Sequence, residues 1–162
     1  MESIKLAIDM ENETIATYRE LARICRTNEG IKNILMMLAE DHEKHLSILD
    51  SMRTKPGVEM EKTQAFREAR KLFEEMHGQK ETFSCDLDQL RLYKEARDLI
   101  LKKEKFYAEM IEKTDSEEDK SLLQKLVEEE KKQGMVLDHI ITMVERPKTW
   151  LEDAEFVHLD DY

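Results

Sequence analysis

Two prolines and four glycines are few for 162 residues, and so little breaker chemistry excludes a turn-rich strand protein. Long helices are expected instead. The two cysteines, Cys25 and Cys85, stand far apart with no CxxC, which argues against a disulfide scaffold and suits a reducing compartment. Cys25 reads as a small buried apolar residue and Cys85 as part of a loop. No run approaches the roughly 20 apolar residues of a membrane span. The first residues, MESIKLAIDMENE, carry charges where a leader would have an apolar core, so no membrane partner and a cytoplasmic location are expected. Positive charge is also short: 26 Lys and Arg stand against 37 Asp and Glu, a net charge of −11. Phosphate-rich nucleic acid would be repelled by such a surface.

What is present is helical periodicity around one unusual stretch, LAEDHEKHLSILD, from Leu38 to Asp50. Leu38, His42, His45 and Leu49 recur at spacings of four, three and four, which places two imidazoles on the apolar face of a helix. Burying them is costly unless each meets a hydrogen-bond partner or a metal. A similar stripe from about Glu2 to Thr27 holds Ile4, Ala7, Ile8, Ile15, Tyr18, Leu21, Ala22 and Cys25, with Glu11 as its charged member. A carboxylate there needs neutralisation, hydrogen bonds or a cation.

Asn28-Glu29-Gly30 is expected to stop the first helix, and the second runs from about Ile31 to Arg53, ended by Lys55-Pro56-Gly57. Between about Val58 and Gly78, Ala65, Phe66, Ala69, Leu72, Phe73 and Met76 mark an amphipathic helix. Asp86 or Asp88 caps a third long helix reaching Lys113, and Ser116 with Asp119 forms a capping box for a fourth over Glu117 to Glu145, which Pro147 stops.

The two halves repeat. A shift of 89 pairs Ala7 with Ala96, Asp9 with Asp98, Tyr18 with Tyr107 and Glu20 with Glu109. A shift of 88 pairs Leu38 with Leu126, Glu40 with Glu128, Leu49 with Leu137 and Asp50 with Asp138. Two related hairpins, about 2–53 and 87–146, would pack as an all-α, up-down four-helix bundle over residues 1–146, with a crossover segment at about 54–86. Residues 147–162 form an aromatic extension whose Trp150, Phe156 and Tyr162 are expected to dock on the bundle or on a second subunit. Under these shifts Glu11 meets Ile100, His42 meets Glu130 and His45 meets Gln133.

The ExxxxxxY of the first helix, followed by LAEDHEKH, resembles the rubrerythrin branch of the ferritin-like di-iron family. That resemblance implies a ferritin-like bundle in which two helices each give a Glu and two others each give an ExxH pair. Carried over residue by residue, Glu11 and His45 would be the terminal ligands of one metal, and Glu130 a bridging carboxylate. The second metal would be left with Ile100, which has no donor, and Gln133, whose amide is a weak ligand. His42 stands where the other bridging Glu would be, and an imidazole nitrogen has one lone pair for one metal. The implied site is therefore half of a di-iron centre: Glu11, His42, His45 and Glu130 holding one Fe, Mn or Zn ion, or none. Glu104, one turn past Ile100, is an alternative displaced carboxylate.

The activity that the resemblance implies is peroxide or dioxygen reduction by an oxidoreductase, with an electron-donor protein as partner, or iron handling. Against turnover, one metal has to serve where two irons normally share the electrons, and no rubredoxin-like CxxC pairs are present. A homodimer is the expected assembly. The alternative reading is a metal-free bundle, its histidines hydrogen-bonded to Glu11 and Glu130, serving as a structural or interaction module. Tyr18 and Tyr107 are expected as core residues whose hydroxyls find partners near the centre. Met36, Met37, Met110, Met135 and Met143 fill gaps in the core or an interface, and His77, His139 and His158 show no ligand spacing. The acidic runs Asp115 to Asp119 and Glu128 to Glu130 read mostly as solvated faces.

Overall fold

The computed structural model describes residues 2–52, 54, 60 and 63–152 of the chain. Among these, six helices and no strand form: α1 (Glu2–Ile24), α2 (Glu29–Ser51), α3 (Ala65–Gly78), α4 (Leu87–Lys113), α5 (Glu117–Glu145) and α6 (Pro147–Glu152). α1 packs along α2 and α4 along α5, each pair joined by a short link, and the two hairpins meet chiefly through α1 and α4. The result is the four-helix bundle that the repeat implies.

Each helix buries the stripe its sequence writes. On α1 the buried positions are Ile4, Ala7, Glu11, Thr14, Ile15, Tyr18, Leu21 and Ala22. On α4 they are Tyr93, Ala96, Ile100, Lys103 and Tyr107, a spacing of three and four throughout. The buried face of α5 is wider because it receives α4 on one side and α3 and α6 on another. Gly134 lies in this helix where the Arg97 guanidinium crosses; a Cβ there would come 2.9 Å from its Nη1, so glycine lets Arg97 lie flat and reach Asp138 Oδ1 at 2.7 Å.

The caps explain two departures from the sequence reading. Asn28 opens α2 instead of closing α1: its Oδ1 accepts from the Ile31 amide at 3.0 Å, so the helix begins at Glu29 and takes in Gly30. Stop and start signals use the same residue types, and the hydrogen bond decides which applies. Pro147 ends α5 but also begins α6, its fixed φ suiting a first helical position. Asp86 caps α4 through the Gln89 amide at 2.8 Å, and Ser116 caps α5 through the Asp119 amide at 3.2 Å, both as expected.

α3 packs against α2 and, more lightly, α5. Thr63 ties its start to α2, its hydroxyl donating to Asp41 while accepting from the Ala65 amide at 3.0 Å. α6 seats Trp150 completely buried, edge-on to Phe73 of α3 and to His77. The described part of the extension, α6, therefore packs on the bundle through Trp150. The expected helix stop at Lys55-Pro56-Gly57, Val58 at the start of the amphipathic stretch, and Phe156, His158 and Tyr162 lie outside the described residues.

Candidate metal centre

Four helices converge at mid-bundle on one polar cluster. α1 gives Glu11, α2 gives His42 and His45, α5 gives Glu130 and Gln133, and α4 gives Lys103 and Tyr107. Glu11, His42, Lys103, Tyr107 and Glu130 have no exposed surface. Glu11, His42, His45 and Glu130 each turn one donor atom to a common point, all within 4.8 Å of one another, a grouping that could hold a metal ion. Tetrahedral ligand bonds of about 2.0–2.2 Å set neighbouring donors roughly 3.4 Å apart, so an ion would draw the widest pair together by about an ångström. The sequence reading names these four residues, and the fold brings them together.

Glu11 is divided between two neighbourhoods. Its Oε2 lies 2.5 Å from His42 Nδ1 and 3.9 Å from His45 Nδ1, while its Oε1 accepts from the Tyr107 hydroxyl at 2.6 Å and faces Lys103 Nζ at 3.5 Å. Burial alone would raise the pKa of this carboxyl, but the Lys103 charge and His42 override it and hold Glu11 well below the usual carboxylate range. Burial raises the pKa of Glu130. His45 is pushed down to about 3, first by burial and then by His42, and so presents a neutral ring with a lone pair to offer.

Gln133 is engaged rather than free to ligate. Its Oε1 accepts from the Tyr18 hydroxyl at 3.1 Å and from His42 Nε2. With Nε2 turned to Gln133, Nδ1 of His42 faces the cluster, 2.5 Å from Glu11 Oε2 and 3.2 Å from Lys103 Nζ, and Gln133 is the kind of outer contact that metal-bound histidines usually have. Ile100 is fully buried and apolar, and Glu104 lies in a surface groove with Arg97, Leu101 and Glu128. Glu104 therefore does not supply the displaced carboxylate: the residue of α4 that reaches the cluster is Lys103. Its position was legible, since Ala96, Ile100, Lys103 and Tyr107 continue one stripe, but a lysine on a buried stripe reads as solvated until its partners are seen. Glu129 is a second correction, since it is 4% exposed instead of solvated, with burial raising its pKa to about 7.

Both tyrosine hydroxyls find partners as expected, and burial first, then the cluster's carboxylates, keep both phenols protonated far above their ordinary range. His77 and His139 stand apart from the cluster, each beside an aromatic ring. Cys25 is buried, and Cys85 lies outside any helix.

A helical bundle with a Glu and His cluster between its hairpins defines the ferritin-like class. The Rubrerythrin family model matches residues 2–141, and the chain belongs to that family. No curated protein and no solved structure matches it. No helix among the described residues is long and apolar enough to cross a membrane.

Proposed function

We propose that this rubrerythrin-family protein binds one divalent metal ion, Fe, Mn or Zn, through Glu11, His42, His45 and Glu130. One observation carries the reading. His45 Nδ1 and Glu130 Oε2 are buried without a hydrogen-bond partner among the described residues, while Glu130 Oε1 faces Lys103 Nζ at 3.1 Å and His42 Nδ1 at 3.9 Å. Each buried unsatisfied polar atom costs about 1–3 kcal/mol. A metal-free polar core would account for the short His42 to Glu11 contact but would leave these atoms unanswered; a cation at the common point answers them together.

The chain's own residues set what the site can do. His45 is neutral, Gln133 orients His42, and Lys103 with His42 holds Glu11 ionised, whereas burial raises the pKa of Glu130, so an ion would compete with a proton for that one donor. A redox-active ion held there would supply electrons to a small oxidant such as hydrogen peroxide. Turnover would draw on an electron-donor protein, and the reading includes a homodimer in the cytoplasm. The test is metal content per chain on protein purified without chelator or affinity nickel, beside the His42→Ala, His45→Ala variant. About one Fe, Mn or Zn, lost in the variant, is the expected result. Two ions, or none after reconstitution, would overturn it. Peroxide consumption with a reductant, abolished by Glu11→Ala with His45→Ala, then separates an enzyme from a binding protein.

A further inference from the structure

Lys103 is a lysine with no exposed surface, in the middle of a bundle, on the same face of α4 as Ile100. A buried ammonium is retained only where opposite charge and hydrogen bonds compensate its lost hydration. Its Nζ has three such neighbours: Glu130 Oε1 at 3.1 Å, His42 Nδ1 at 3.2 Å and Glu11 Oε1 at 3.5 Å. All three residues belong to the four that could hold a metal. We infer that the Lys103 ammonium is a built-in cation standing where a second metal would, so that the carboxylates are compensated by one ammonium and leave room for at most one ion.

Three features of the site support this. Glu11 presents Oε2 to the histidines and Oε1 to Lys103 and Tyr107, so the ammonium and the histidine side of the cluster share one carboxylate. The ligands missing from the second position are Ile100, one turn before Lys103 on the same helix, and Gln133, whose carbonyl is taken by Tyr18 and His42. Charge then limits the count. A second divalent ion would stand beside Lys103 in a core where Glu11, His42, Lys103 and Glu130 have no exposed surface, adding like charge where no water screens it.

The inference rests on the one-metal reading for its ion count, whereas the role of Lys103 in the metal-free protein stands on the ion pairs alone. Titration with Co²⁺ by calorimetry and visible absorption, with thermal melts of metal-stripped protein, tests it on wild type, Lys103→Met and Lys103→Glu. Wild type is expected to take about one Co²⁺. Lys103→Met should melt at least about 6 °C lower when stripped, because carboxylates lose their counter-charge, and should bind Co²⁺ at least about tenfold more tightly, because a like charge is gone. Lys103→Glu, which supplies a donor at the second position, should take two. Two Co²⁺ on wild type, or a Lys103→Met protein that melts and binds as wild type does, would overturn the inference. Wild type without Co²⁺ beside a Lys103→Met that binds one would overturn the one-metal reading and support the place given to Lys103.

Discussion

The phenol of Tyr107 donates to Oε1 of Glu11 at 2.6 Å, both groups fully buried and contributed by different hairpins. It joins α1 to α4 at the level of the cluster and fixes which oxygen of Glu11 faces the histidines. Hydrogen bonds to charged groups contribute about 1.5–3 kcal/mol, so Tyr107→Phe should lower unfolding stability by that amount in urea titrations. A variant as stable as wild type would show that Lys103 alone suffices for this oxygen.

Gln133 accepts from two buried donors at once, Tyr18 and His42. Gln133→Leu leaves both without an acceptor and frees the tautomer of His42. Stability should fall by about 2–4 kcal/mol, and metal affinity by about 10- to 100-fold, measured by competition with a chromophoric chelator. Unchanged affinity would mean that His42 is oriented by packing.

Trp150 is wholly buried against Phe73 and His77, though it belongs to a six-residue helix that could not persist alone. Trp150→Ala should cost about 3–5 kcal/mol, or roughly 6–20 °C in melting temperature. A loss near zero would show that the extension adds nothing to the bundle's stability.

His139 lies on Phe73, and burial pushes its pKa down to about 4, against a small opposing effect of Asp138. At this site the unfolded state binds more protons between about 6.5 and 4, so the His139 contribution to stability is full above that window and is lost as pH drops through it, opposite in sign to the contribution of Glu129. In stripped protein His139→Leu should flatten this loss by up to about 1.4 kcal/mol per pH unit. Denaturation midpoints from pH 7 to pH 4 would show it, and equal slopes would exclude His139 as a source. His45, also depressed, adds the same trend to both proteins.

Much of the site was legible because it is periodic. Glu11, His42 and His45 interrupt apolar stripes at helical spacing, and the shift of 88 that carries His42 onto Glu130 names the fourth donor with no view of the fold. The burial of Lys103 and Glu129 was not legible, because long charged side chains on a mixed helix face usually reach water. Whether one does depends on a neighbour from another hairpin.

The sequence by itself determined the helices through spacing and caps, and their pairing into two hairpins through the repeat at shifts of 88 and 89; the four residues of the candidate site follow from that repeat together with the family resemblance. Only tertiary structure decided that Asn28 opens a helix, that Trp150 seats on α3 and α6 belongs to the bundle, and that Lys103 turns inward to Glu11 and Glu130. The Asn28 cap is a bond within its own turn, and the same residue types serve as stop and start until that bond forms. Trp150 and Lys103 depend on distant segments, and burying a ring or an ammonium is favourable only when that segment is in place, which no local pattern records.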